Sequence, residues 1–396
     1  MTVLGTERHA APKPFFLDDP VLRGVIYQVA VAVLVVGFFA WIINNTAVNL
    51  VAQNKTTGFD FLGRAGGFDI SFKLFQFDRN STYFAAFLVG LTNTLLVAVI
   101  GIVFATIIGF TVGIARLSSN FIVSRLATVY VETIRNIPLL LQLFFWYFAV
   151  LKTMPAVKDS LALPLNSFIN QRGLYVPRPI PDEQFAYIWI AIALAVLAAL
   201  VMRAQAKARL EATGKRFPVV LVAIALLVGI PAITWFLSGA SVAFEVPQLN
   251  RFNFKGGLVL PPEFLALAFG LTIYTASFIA EIVRAGILSV NKGQTEAAQS
   301  LGIKESDRLR LVIVPQAMRV IIPPLTSQFL NLTKNSSLGA AIGYPELVNV
   351  FTGTTLNQSG RAIEVIALTM LVYLTLSLTT SALMNLYNAR MALVER

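Results

Sequence analysis

Runs of about 20 apolar residues, each long enough for a helix to cross a hydrocarbon core of roughly 30 Å, recur along the chain. They occupy 25–43, 88–114, 126–151, 185–202, 217–237, 264–287, 320–342 and 363–386, which predicts about eight membrane-spanning helices. The first run is too long for the apolar region of a cleaved leader and no small-residue cleavage site follows it, so it is expected to remain as a span. The seventh is the weakest, interrupted by Pro323, Pro324 and a group of polar residues. Each proline removes a backbone donor, so a bend is predicted there.

Composition agrees with the pattern. Of 396 residues 56% are hydrophobic and 13% charged, about half the charge of a soluble domain, and the mean hydropathy is +0.72. A soluble fold of this size could not cover so much apolar surface, which excludes a soluble enzyme and a disordered chain. The net charge of +11 then reflects orientation across a bilayer rather than binding to nucleic acid. With the N-terminus in the cytoplasm, the inner segments hold Arg116, Arg125, the cluster from Arg203 to Arg216 and the cluster from Arg284 to Arg319, more Lys and Arg than the longer outer segments. Both termini are therefore expected in the cytoplasm. Trp41, Trp146, Trp189 and Trp235 fall near the outer span ends, where an apolar ring with one N–H is favoured. The chain has no cysteine and a single histidine, His9, so no metal site is expected.

Two segments look added to a core. Residues 1–84 supply a tail, the first span and a Gly-containing outer loop. Residues 152–262 open with a Pro-rich stretch and contain the fourth and fifth spans around a basic inner turn. The core then consists of 85–151 and 263–396, with a coupling loop at 289–317, and no internal repeat is evident.

That inner loop is the most informative stretch. Gly293-Gln294-Thr295-Glu296-Ala297-Ala298-Gln299-Ser300-Leu301-Gly302 predicts a short helix starting near Asn291 and stopping at Gly302, which suits a left-handed helix end. A second helix is expected around Ser306 as N-cap. Ala297, Ala298 and Leu301 are expected on one side of the first helix, as a small-residue face that another protein approaches, or as a surface helix on lipid headgroups.

Glu296-Ala297-Ala298, Gly302, Val312, Val314 and Pro315 together resemble the EAA motif of permease subunits of bacterial ATP-binding-cassette importers. Val at 312 and 314 stands where Ile and Leu are commoner. Gly293-Gln294, Pro315-Gln316-Ala317 with Arg319, Pro323-Pro324, Lys334-Asn335-Ser336-Ser337-Leu338 and Tyr130-x-Glu132-x-x-Arg135-Asn136-x-Pro138 are similar to the polar amino-acid branch. The N-terminal span and long insert resemble its longer permeases, those of general L-amino-acid or glutamate/glutamine/aspartate/asparagine uptake. The resemblance implies an all-α integral membrane fold with a five-helix MetI-like core, one N-terminal helix and two inserted helices. It implies a subunit that forms the pathway and couples it to a separate ATPase through Glu296, Ala297, Ala298, Leu301, Gly302 and Pro315. It also implies a multi-pass protein of the bacterial inner membrane, whose partners are ATPase subunits, a second and different permease, a periplasmic amino-acid-binding protein and membrane lipid. The chain has no GxxxxGK[ST] phosphate loop, so ATP and Mg are expected in the partner ATPase, and no catalytic residue or cofactor in this chain.

Within the spans, Arg135 lies near mid-depth with Glu132 one turn before it. A charge there is costly enough to face protein or water. Arg135 grips a substrate carboxylate with Glu132 holding it, or the two form an i, i+3 ion pair that fixes packing; Pro138 also suggests a locally opened helix. Gln328, Asn331 and Asn335 share a helical stripe with Lys334 beside them, lining a passage or bonding neighbouring helices. Glu281 and Arg284 form a structural pair at the inner end of the sixth span. An ion-coupled secondary amino-acid transporter is the alternative, but it would show repeated halves or matched broken helices.

Overall fold

The computed structural model describes residues 20–52, 58–214 and 217–391; the N-terminal tail with His9 lies outside them. Helix α1 (Pro20–Ala52) presents apolar side chains outward along nearly its whole length. After a loop, α2 (Tyr83–Ala115) begins at Thr82, whose hydroxyl accepts from the Ala85 amide. Asn120 caps α3 (Phe121–Asn136) in the same way. A break then leads into α4 (Leu139–Phe144), which continues as a wide π turn to Leu151.

Short strands follow: β1 (Leu161–Leu163), β2 (Ser167–Asn170), β3 (Gly173–Val176) and β4 (Arg178–Pro181). Next come α5 (Phe185–Thr213) and α6 (Val219–Ser238), then β5 (Val242–Glu245), β6 (Gln248–Leu249), β7 (Phe254–Lys255) and β8 (Leu258–Leu260). Helix α7 (Pro262–Leu288) precedes the short α8 (Lys292–Ser300) and α9 (Glu305–Arg308), and a π turn leads into α10 (Val314–Asn335). A 3-10 segment, a third π turn (Val348–Thr355) and α11 (Leu356–Ser359) connect to α12 (Ala362–Met391). Among the described residues seven helices are long and apolar enough to cross a membrane, and the bent pair on either side of Pro138 makes an eighth.

The core forms where α2 meets α7. Gly101, Ala105, Gly109 and Gly113 lie at four-residue spacing, with Gly90 about three turns before them, and all are buried, so one face of α2 is nearly flat and lets a neighbour's backbone approach. A Cβ at Gly109 would lie 2.6 Å from Ile279 Cβ, and one at Gly113 2.7 Å from the Ala280 carbonyl oxygen. Gly90 receives Leu347 and Gly101 receives Leu332. Val97, Leu143, Leu267, Leu271, Ile279 and Ile321 fill the space between α2, α4, α7 and α10.

The insert closes on itself. β1, β2, β3 and β8 form one sheet in that order, and β4 pairs with β5, so strands before α5 hold strands after α6. Asp182 accepts from the Ser241 amide at 2.7 Å and from the Phe185 amide at 3.0 Å, joining the start of α5 to the end of α6. These bonds, led by the Ser241 amide, hold its carboxyl below the ordinary range. Strands were not expected from the sequence: each is two to four residues long and lies in a stretch that reads as a Pro-rich loop. At the same end the loop before α2 is tied to α12 by Asp60 and Arg361 at 3.1 Å and by the Gly58 amide on Glu364 at 2.7 Å.

Two proline expectations diverge. At Pro138 the third span does open: α3 and the 139–151 helix meet at 104°. Proline excludes the helical region for the residue before it, and Ile137 is extended, with φ −98° and ψ 128°. The Gln142 amide donates to the freed carbonyls of Ile134 and Ile137, each at 2.9 Å. At Pro323-Pro324, by contrast, the chain remains one continuous helix from Val314 to Asn335, with both prolines on its exposed face.

Gly113→Ala is expected to destabilise the fold by about 1–3 kcal/mol, because the Ala280 carbonyl is backbone and cannot yield. Gly229→Ala in α6, where nothing lies within 4 Å, should be neutral or stabilising by up to about 1 kcal/mol. Thermal unfolding of both variants in detergent checks the contrast.

Candidate coupling loop and polar interior

The loop 289–317 lies at the end of the bundle opposite the strands. Asn291 Oδ1 accepts from the Gly293 amide at 2.8 Å and starts α8. Gly302 ends it with φ +67°, while the Gly302 amide donates to Gln299 O and the Ile303 amide to Ala298 O. This closure needs a left-handed residue, which glycine adopts without strain. The next helix starts two residues earlier than expected. Lys304 occupies the cap position with no side-chain cap bond, and Ser306 lies inside α9.

The face expected from Ala297, Ala298 and Leu301 divides. Ala298 is 4% exposed and turns toward the following π turn, whereas Leu301 is 78% exposed and Glu296 and Ala297 are also outward. Residues 297 and 301 lie about 40° apart on a helix, but 298 is about 100° from 297. Behind the face, Gln294 and Gln316 meet at 3.4 Å, and Pro315 lies half-buried in the first turn of α10. A displacement of α8 therefore reaches α10 through the π turn at 309–313 that leads into it.

Near this end a network of charges joins three helices. Arg116, capping α2, contacts Glu281 of α7 and lies 3.4 Å from Glu132 of α3. Glu281 also holds Arg284 at 2.7 Å, as the sequence suggested. The Glu132–Arg135 pair does not form, because Glu132 reaches toward α2. Arg135 instead lies with its guanidinium carbon 5.1 Å from the centre of the Phe278 ring, and its Nε is buried without a hydrogen-bond partner. In the sequence Arg116 carries only its charge; nothing there shows that two carboxylates from other helices converge on it.

Deeper in, α10 exposes Pro323, Pro324, Ser327, Asn331 and Lys334 along one stripe, with Gln328 and Asn335 half-buried at its edge. Beyond α10 the chain turns back into the bundle. Glu346, 0% exposed, accepts from the Val348 and Asn349 amides at 2.7 Å and from the Tyr373 hydroxyl at 3.2 Å. Asn93 donates to the Phe72 and Pro345 carbonyls, and Thr94 accepts from the Leu347 amide. Irregular backbone is tolerated at this depth only where protein satisfies it. Sequence reading overlooked Glu346, although an acid between two apolar runs was available as a signal. An open cleft of about 430 Å³ lies between Lys334, the π turn Val348–Thr355 and α12. A larger cleft of about 620 Å³ between α5 and α6 is lined by apolar side chains and one charge, Arg203, and lies away from this polar interior.

Glu281→Gln is expected to lower stability by about 2–3 kcal/mol, since it leaves the Arg116 guanidinium, 8% exposed, without its main partner. Glu132→Gln, at a carboxylate more than half exposed, should cost less than about 1 kcal/mol. Unfolding curves of the two variants in the same detergent decide between them.

The family model described as the inner membrane component of binding-protein-dependent transport systems matches residues 191–393. The chain is 52% identical over 378 residues to the general L-amino acid transport system permease protein AapQ of Rhizobium johnstonii, covering 96% of this chain and 94% of that one. It is 48% identical to the putative amino-acid ABC transporter permease protein YhdX of Escherichia coli, over 96% of each chain. It is 42% identical to the glutamate/glutamine/aspartate/asparagine transport system permease protein BztB of Rhodobacter capsulatus, again over 96% of each. Among solved structures, an amino acid ABC transporter determined with histidines aligns with a TM-score of 0.46 at 22% identity, over 78% of this chain and 95% of that one. The ion-coupled alternative finds no support in these relatives. With the EAA pattern on an exposed loop and the apolar helices behind it, the chain belongs to the binding-protein-dependent transport family, as its multi-pass, membrane-embedded permease component.

Proposed function

We propose that this chain is one permease of an ATP-driven amino-acid importer, paired with a second, different permease and carried by two ATPase subunits. The observation that carries the reading is α8 with Gly302: an exposed helix whose outward face holds Glu296, Ala297 and Leu301 and whose inner face rests on the π turn that leads into α10. Closure of the ATPases pushes α8, and the push passes through Gln316 and Pro315 into the pathway helix. ATP and Mg belong to the ATPase, since this chain carries no phosphate loop. The relatives named for amino-acid uptake support the substrate class, and a periplasmic binding protein delivers the substrate at the strand end. The subunit resides in the bacterial inner membrane with both termini in the cytoplasm, a reading supported by the surplus of Lys and Arg in the segments of the coupling end.

Two experiments test this reading. Glu296→Lys and Gly302→Val, the latter forcing a β-branched residue into a left-handed position, should leave membrane insertion intact while uptake falls and ATP hydrolysis continues; wild-type uptake in both variants would refute the coupling role. Because the chain has no cysteine, Ala212→Cys and Lys158→Cys can be probed singly with a membrane-impermeant thiol reagent. Ala212→Cys should label only from the cytoplasmic side and Lys158→Cys only from the other, and labelling from one side alone would refute the topology.

A further inference from the structure

The inserted hairpin of α5 and α6 carries an unbalanced set of charges. Between 185 and 238 the sequence holds Arg203, Lys207, Arg209, Lys215 and Arg216 against a single acid, Glu211. Arg203 is exposed, and no carboxylate of the described residues pairs with it. Its depth follows from the aromatic residues at the other end of the hairpin. Trp189 of α5 and Trp235 of α6 both pack edge-on against Phe185, a cluster of the kind found at a membrane interface. At 1.5 Å per residue, Arg203 lies about 21 Å along α5 from Trp189 and Arg209 about 30 Å. The hydrocarbon layer is roughly 30 Å thick, so Arg209 reaches its far boundary while Arg203 remains within it.

Arg203 opens onto an apolar groove. Two adjoining clefts between α5 and α6, of about 620 and 560 Å³, share Leu200, Arg203 and Val219, and every other side chain lining them is apolar. The second follows α6 from Val219 to Leu227, about 12 Å and most of the depth of one leaflet. No described residue of α6 is buried, so the groove faces lipid. A guanidinium in a membrane-spanning helix is costly unless an anion or water meets it, and here the protein supplies no anion. An occupant that satisfies both features brings a negative headgroup and an alkyl chain together. The planar fork of arginine matches phosphate oxygens. The surplus of cations at this end of the hairpin favours a headgroup that carries no ammonium of its own.

We propose that the groove between α5 and α6 is a binding site for one anionic phospholipid, whose phosphate is met by Arg203 and whose acyl chain lies along Leu200, Val219 and Leu227. The site gives the inserted hairpin a role of its own, separate from the coupling loop and from the polar interior: it holds a lipid of the leaflet at the basic turn.

The test titrates the full-length chain, in mild detergent, with dioleoyl phosphatidylglycerol or dioleoyl phosphatidylcholine and counts bound lipid by native mass spectrometry. One phosphatidylglycerol should bind at least about tenfold more tightly than phosphatidylcholine, the gain expected from a charged hydrogen bond. Arg203→Gln should lose this preference, with Arg203→Lys recovering part of it. Ala204→Phe, which fills the cleft beside Arg203 and keeps the charge, should weaken phosphatidylglycerol about tenfold as well. Arg178→Gln, at an exposed position of β4, should bind as the wild type does. Equal binding of the two lipids by the wild type, or wild-type binding by Arg203→Gln or Ala204→Phe, overturns the proposal. An equal loss in Arg178→Gln does so too, since it would reduce the effect to total charge. Displacement of the lipid by millimolar inorganic phosphate would make this a free-anion site and also overturns it. So does the absence of bound phosphatidylglycerol once the second permease and ATPases are assembled on the chain, which would assign the groove to a protein partner.

Discussion

The near-contact of α2 with α7 is the constraint on which the other features depend. Inside a bilayer the hydrophobic effect does not press helices together, because lipid is as apolar as leucine; close backbone approach supplies the attraction instead. The glycine face of α2 provides that approach: at Gly113 the neighbouring carbonyl comes within 2.7 Å of where a Cβ would stand. With α2 seated on α7, Arg116 is brought to Glu281, Gly90 admits the returning chain at Leu347, and α10 packs on the remaining side of α7. Removing the small face would separate the elements that carry both the charge network and the polar interior.

The same environment explains how polar groups are distributed. Freed backbone at the Pro138 break is satisfied by Gln142, and the re-entrant backbone after α10 by Asn93, Thr94 and Glu346. Where charges are buried they converge in a shared network, as Arg116 does with carboxylates of two other helices.

Much of this was legible in the sequence, in proportion to how local the signal is. Spans, the Gly302 stop and the break at Pro138 follow from hydropathy, a left-handed glycine and the restriction before proline, all of which act within a few residues. What could not be read depends on partners distant in sequence. Glu132 and Arg135 have the spacing of an ion pair, yet each takes a partner on another helix. Pro323 and Pro324 lie on the exposed face of α10 and do not interrupt it, whereas Pro138 ends α3. Two pairings of the insert, β3 with β8 and β4 with β5, join segments separated by two apolar helices, and the local pairs are too short to show the alternation of a longer sheet. Ala298 shows the limit of counting along one helix: its neighbour Ala297 faces outward, and a single residue step turned it toward the protein.

The length of α2 has a mechanical consequence. Its 33 residues extend about 50 Å at 1.5 Å per residue, while the hydrocarbon layer is roughly 30 Å thick. Because it is apolar along most of its length, inclining away from the membrane normal is one way to relieve this mismatch. An inclined rod converts a push along the normal into sideways travel: rotating a 50 Å helix by about 5° carries its far end about 4 Å. Bound to α7 along its glycine face, it takes that helix with it, so a small rocking at the coupling end becomes a displacement at the strand end comparable to the width of a substrate.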